Sequence, residues 1–202
     1  MFKHTDALIQ LATELFSADE WATLRRISAT SPLDRRGLAD FDDSLGGPSM
    51  RRIADSRTGD GTLGIPGHGV GRYETDDRDV FRPLQYCAVH LGSRAGNEEW
   101  LTREVVEMGG LHLEGLVKRI GGLRFVPLGQ GLRRARVRRN LEAATADQLD
   151  RYARVHNAAK HGLDHDGNTH MFSMQDAVLA YAISRRLGQH LYTLAKVVTD
   201  WR

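Results

Sequence analysis

Three polar residues in the segment 151–162 combine the spacing of one helical face with the chemistry of a phosphate-ester site. Arg154, Asn157 and His161 lie at positions i, i+3 and i+7, so a helix would place them on the same side. A guanidinium group can bind a phosphate through two hydrogen bonds, and an imidazole titrates near neutral pH. The three side chains therefore predict a surface that binds an anion and transfers a proton.

A run of arginines precedes this segment. Five arginines fall within seven residues, in a stretch without any acid between Glu114 and Glu142: Arg133, Arg134, Arg136, Arg138 and Arg139. A solvated helix face usually mixes charges of both signs, because like charges repel each other. An unmixed run favours a polyanionic partner, and nucleic acid is the commonest polyanion. An acidic protein surface and the absence of any partner are the alternatives.

The segment around Arg154 resembles the signature of the HEPN superfamily, an arginine followed by a histidine after four to six residues. Six residues separate Arg154 from His161, and the string Asn157-Ala-Ala-Lys160-His161 is similar to helices of HEPN-like proteins. The resemblance extends over residues 79–202 and implies a helical bundle with the motif near the end of its penultimate helix. Many members are metal-independent ribonucleases of toxin–antitoxin and antiviral defence systems. In these enzymes two protomers bring both motifs into one cleft.

The resemblance also implies a role for each residue of the motif. Arg154 would stabilise the phosphate charge, His161 would transfer a proton at the ribose 2′-hydroxyl, and Asn157 would orient them. The arginine run would bind the RNA backbone, the active protein would be a homodimer, and no cofactor would be needed. The alternative is a non-catalytic helical module that binds nucleic acid or protein and has no active site. In that case Lys160 and His161 complement the helix dipole and Gly162 caps the helix.

Histidines elsewhere permit a third hypothesis, a metal-binding helical enzyme. One histidine falls on each of four predicted helices: His90, His112, His156 and His190. His161 and His165 also have the i, i+4 spacing of a helical metal pair. Because no Glu-x-x-His pair accompanies them, we expect hydrogen-bonded core histidines and no metal site. Residues 164–168 have the alternating oxygens of a calcium loop, but Thr169 and Gln175 stand where that loop has its glycine and its glutamate, which favours a polar turn.

The N-terminal part of the chain has weaker patterning. Residues 1–45 predict a smaller helical segment, in which Ser17 and Glu20 form a capping box at the start of the second helix. Residues 46–78 predict a long loop, since the stretch 46–71 holds eight glycines, two prolines and no periodicity. No strand precedes these glycines and no helix start follows them directly, so a phosphate-binding loop is not favoured.

Residues 79–202 have strong helical periodicity. Four segments of this kind, about 79–94, 97–120, 145–161 and 173–201, predict a four-helix bundle. His112 falls on the apolar stripe of the second segment, and Leu149, Tyr152 and His156 form the stripe of the third. The only candidate strand is the stretch 123–128. The predicted fold class is therefore all-α, a four-helix bundle with a smaller helical N-terminal segment.

Composition and charge exclude several classes of protein. The chain has 202 residues and a formal net charge of +2, with one cysteine, so it cannot form an internal disulfide. It has no apolar run of the roughly 20 residues that a membrane span needs, and we expect a cytoplasmic protein without a leader or a membrane partner. The charge is uneven: residues 1–78 carry a net −3 and residues 79–202 a net +5. This excess again favours RNA or another polyanion as partner.

Overall fold

The chain forms an all-α structure, which confirms the predicted fold class. The computed structural model describes residues 4–29, 75–92, 99–121, 128–138, 141–163, 167 and 169–197. Within these residues the chain forms one isolated β-bridge and seven helices: α1 Thr5–Leu15, α2 Ala18–Ser28, α3 Thr75–Gly92, α4 Glu99–Gly121, α5 Leu128–Arg138, α6 Ala143–His161 and α7 Met174–Val197. Among these seven helices, none is both long and apolar enough to cross a bilayer.

The helices after residue 75 correspond to the predicted segments with one addition. Four of them, α3, α4, α6 and α7, match the four periodic segments, although α3 begins at Thr75 and not at 79. Helix α5 was not predicted, so this part of the chain holds five described helices and not four. Leu128, the last residue of the candidate strand, begins α5. The rest of that candidate strand and the loop residues 46–74 lie outside the described residues.

Side chains fix where two of these helices begin. Ser17 and Glu20 form the predicted capping box at the start of α2, with Ser17 N donating to Glu20 Oε2 at 2.9 Å and Glu20 N donating to Ser17 Oγ at 3.3 Å. Ser173 and Asp176 exchange the same two kinds of bond before α7, at 2.7 Å and 3.2 Å. Each exchange satisfies backbone N–H groups that have no partner inside the helix.

The core forms around α7 and α4. Helix α7 packs against α4, α1, α2 and α3, and α4 also packs against α3, α5 and α6. Both N-terminal helices contribute to the same apolar core, through Leu8, Leu11, Leu24 and Ile27. The N-terminal helices are therefore packed on the later helices and not separated from them.

Two ion pairs attach the N-terminal helices to the bundle. Arg151 on α6 donates two hydrogen bonds to the Glu14 carboxylate of α1, one of them 2.8 Å long, and these bonds lower the pKa of Glu14. Arg186 on α7 pairs with Glu20 of α2, and its guanidinium lies 5.1 Å from the centre of the Phe16 ring. Both arginines are thus neutralised within the fold.

Candidate functional site

The candidate site residues and the core residues of α6 lie on opposite faces of this helix. Arg154, Asn157 and His161 are all exposed, while Tyr152 and His156 on the opposite side are buried. The structure therefore places the three predicted site residues on one exposed face, as the i, i+3, i+7 spacing indicates. The predicted inward positions of Tyr152 and His156 are also confirmed.

The polar groups of this exposed face are not used by the fold. Among the described residues, Arg154, Asn157 and His161 have no hydrogen-bond or ion-pair partner. Arg151, one turn earlier on the same helix, instead pairs with Glu14 and lies 3.0 Å from Asp147 Oδ2. The two arginines of α6 therefore differ: Arg151 stabilises the fold, and Arg154 keeps its five N–H donors available for a ligand.

His161 is the last residue of α6, and the turn that follows fixes its backbone. Gly162 has φ 72° and its N–H donates to the Ala158 carbonyl at 3.0 Å, which ends the helix in the left-handed conformation that glycine tolerates best. The chain then returns: Leu163 forms a β-bridge with Thr169, and the N–H of residue 170 donates to the Gly162 carbonyl at 2.9 Å. His161 therefore lies at the end of α6, directly before a hydrogen-bonded turn.

The returning segment, residues 169–173, is itself anchored on two sides. Thr102 Oγ1 of α4 donates to the Phe172 carbonyl at 2.6 Å. His4, just before α1, stacks on the Phe172 ring at 5.1 Å and makes a 3.0 Å hydrogen bond between its Nε2 and Nδ1 of His170. Contacts from α4 and from the start of α1 therefore hold the turn beside His161. These contacts could not be predicted from the sequence, because their partners are far apart in the chain.

The arginine run forms an amphipathic helix. Leu132 and Ala135 of α5 are buried, and Arg133, Arg134 and Arg136 are exposed without a hydrogen-bond or ion-pair partner among the described residues. Arg138 ends the helix, and Arg139 lies outside the described residues. Because α5 packs against both α4 and α6, this basic surface belongs to the same body as the face of Arg154.

The two buried histidines, His112 and His156, each pack against a glycine of a neighbouring helix. His112 Nδ1 donates to the Val80 carbonyl at 2.7 Å, and a Cβ atom on Gly188 would lie only 2.2 Å from His112 Nε2. His156 packs equally closely on Gly110, where a Cβ atom would lie 2.0 Å from its Nδ1. Each imidazole therefore fits a gap that a glycine leaves on the neighbouring helix.

The hypothesis of a metal site gains no support from these positions. Among the residues that the structure describes, no three His, Cys, Asp or Glu side chains lie close enough together to hold a metal ion. His90 lies 3.6 Å from Glu104, and His190 is exposed. His165, the proposed partner of His161, lies outside the described residues, as do residues 164–166 and 168 of the calcium-like segment.

Acid should destabilise the protein through the two buried histidines. Burial lowers the pKa of His112 to about 3 and that of His156 to about 4, from the usual value of about 6.5. Arg185 lowers the pKa of His112 further, whereas Glu114 partly opposes the shift at His156. Since the unfolded chain binds these protons first, stability should fall as the pH drops from 6.5 towards 4. By pH 4, His156 alone should lower the free energy of unfolding by about 3 kcal/mol.

The substitution His156→Phe provides the matched comparison. It keeps a ring against Gly110 and removes the titrating nitrogens, so the free energy of unfolding should fall less steeply between pH 6.5 and 4. Urea denaturation of both proteins over this pH range measures the difference. Equal pH dependence of the two proteins would show that His156 does not carry the effect.

No family model, curated protein or solved structure matches the chain in sequence or fold comparisons.

Proposed function

We propose that the protein binds RNA and cleaves it without a metal ion, as a HEPN-like endoribonuclease with a composite site between two copies. The observation that carries the proposal is the exposed face of α6, where Arg154, Asn157 and His161 lie together with no partner in the described fold. The absence of a partner for these three groups is what a ligand-binding surface requires.

The residue types suit cleavage of a ribose phosphodiester. Neutral His161 takes the proton of the ribose 2′-hydroxyl, whose oxygen attacks the phosphorus while the bond to the 5′-oxygen breaks. The guanidinium of Arg154 stabilises the negative charge that grows on the phosphate oxygens, and Asn157 helps to orient the group. The protonated imidazole of the second copy supplies the proton of the leaving oxygen. The products are a 2′,3′-cyclic phosphate and a 5′-hydroxyl.

A direct experiment incubates the purified protein with single-stranded RNA in the presence of a chelator and identifies the product ends. We expect cleavage with 2′,3′-cyclic phosphate and 5′-hydroxyl ends, at a rate that the chelator does not change. Binding without cleavage would favour the alternative, a nucleic-acid-binding module without an active site. The exposed arginines of α5 support this alternative, because they would suffice for RNA binding without any cleavage.

The α5 arginines should control affinity and not the chemical step. Replacing Arg133, Arg134 and Arg136 together by Gln removes three exposed charges and leaves the buried side of α5 unchanged. We expect weaker RNA binding and a salt dependence of log K that is shallower by about 2, since each contact to a single strand contributes about 0.7. Fluorescence anisotropy at several salt concentrations measures both quantities. Arg25→Gln, an exposed arginine of α2, is the control that should change neither.

A further inference from the structure

Arg103 of α4 lies against the end of α6, beside the candidate site. A Cβ atom built on Gly162 would lie 2.9 Å from Arg103 Nη1, 3.2 Å from Cζ and 3.4 Å from Nη2. The whole guanidinium group therefore packs on the backbone of Gly162, the residue directly after His161. Any other residue at 162 would displace this group, in addition to the strain at φ 72°.

The charge of Arg103 has no partner within the described fold. Arg103 is half-buried, and among the described residues its guanidinium has no hydrogen bond or ion pair. Two carboxylates of its own helix have other neighbours: Glu104 lies 3.6 Å from His90 Nε2, and Glu114 pairs with Lys118. Glu107, one turn after Arg103, makes no ion pair with it. Arg103 thus differs from Arg151 and Arg186, and resembles Arg154, in keeping its donors unused.

The position of Arg103 extends the cationic surface beyond a single phosphate. Arg154 and Gly162 are separated by roughly 12 Å along the helix axis at about 1.5 Å per residue. Arg103 therefore lies at the C-terminal end of α6, against the residue that follows His161, and Arg154 lies about two turns earlier. Cationic groups spread over this length suit linked phosphates of an extended strand better than one isolated phosphate.

We infer that Arg103 binds a second phosphate of the RNA, next to the one that Arg154 and His161 act on. The inference rests on the proposed function and adds to it a substrate class, a single strand with a phosphate flanking the cleavage site. A guanidinium suits this task because its planar fork binds two phosphate oxygens at once. It would be a substrate-binding residue, contributed by α4 and not by the Arg154–His161 motif.

The test measures RNA affinity without cleavage. The probe is a fluorescein-labelled single-stranded RNA of random sequence with 2′-O-methyl riboses, which lack the attacking hydroxyl. Arg103→Gln keeps most of the side-chain length but no charge, and should weaken binding about tenfold, the effect of one charge-assisted hydrogen-bonding group. The salt dependence of log K should become shallower by about 0.7. Arg103→Lys should keep the salt dependence of the wild type, and Arg25→Gln should behave as wild type throughout.

A purely structural role for Arg103 gives a different result. If the guanidinium only stabilises the negative end of the α6 dipole, Arg103→Gln lowers the melting temperature but keeps the affinity and salt dependence of the wild type. That outcome overturns the inference and leaves the proposed function standing. If the wild type itself does not bind the probe, both the inference and the proposed function are wrong. Weaker binding and a shallower salt dependence for Arg103→Gln, with Arg25→Gln unchanged, support the inference, while cleavage of unmodified RNA in chelator tests the proposed function separately.

Discussion

Replacing His161 by Ala should lower the rate of RNA cleavage by at least about a hundredfold, the lower end of what a positioned acid–base group contributes. His161 is exposed at the end of α6 and has no partner among the described residues, so its removal should leave the fold intact. Arg154→Ala should lower the rate comparably, because the charge that grows on the phosphate loses its stabilising guanidinium. In both variants RNA affinity should change much less than the rate.

Lys160→Ala is the matched control for this prediction. Lys160 is exposed, adjacent to His161, and outside the i, i+3, i+7 set, so its loss removes one charge from the same helical turn. Single-turnover cleavage of an end-labelled RNA gives the rate for each protein, and circular dichroism checks the fold. A rate in His161→Ala and Arg154→Ala equal to that in Lys160→Ala would place the chemistry elsewhere. The face of Arg154 and His161 would then have no part in the cleavage.

Gly110→Ala should lower the free energy of unfolding by more than about 3 kcal/mol, at the upper end of the cost of overpacking a core. The added methyl group would lie 2.0 Å from Nδ1 and 2.1 Å from Cγ of His156, which is itself buried. The imidazole must then leave its place or α4 and α6 must separate. Ala favours a helix over Gly by about 1 kcal/mol, and this gain is too small to compensate.

The same substitution at Gly115 is the internal comparison. Gly115 lies in the same helix, and its added methyl group would make an ordinary contact of 3.6 Å with Val80 Cγ2. Gly115→Ala should therefore leave stability unchanged or raise it slightly, as measured by urea denaturation. If Gly110→Ala does not fold, adding His156→Ala should restore folding, because it removes the colliding ring. Equal stability of the two single variants would contradict the close contact between α4 and α6.

The helices and their faces were largely accessible from the sequence. The 3.6-residue spacing of apolar side chains located α6 and α7, and the capping box at Ser17 marked the start of α2. The exposed positions of Arg154 and His161 also followed from spacing alone.

Helix α5 was missed for a physical reason. Its apolar stripe is short, with Leu128, Leu132 and Ala135 buried, and two glycines in its first turn lower the helix propensity. The sequence therefore shows the run of arginines but does not indicate the helix that carries them. Tertiary contact with α4 and α6 supplies the stabilisation that the local sequence lacks.

Contacts between distant parts of the chain could not be predicted from one sequence. In the sequence, Arg151 and Arg154 are two arginines of the same helix, and nothing distinguishes their roles. Only the position of Glu14 on α1 shows that Arg151 forms an ion pair within the fold. The placement of Arg103 against Gly162 likewise depends on how α4 crosses the end of α6. Gly110 lies within a helical pattern in the sequence. Only the structure shows that its missing side chain leaves the space in which His156 packs.

One paired assay tests most directly the proposal that His161 takes part in RNA cleavage. Wild type and His161→Ala, purified in parallel, are incubated with the same single-stranded RNA in the presence of a chelator. We expect the wild type to produce fragments with 2′,3′-cyclic phosphate ends and the variant to produce almost none. Equal cleavage by both proteins, or no cleavage by the wild type, would contradict the claim.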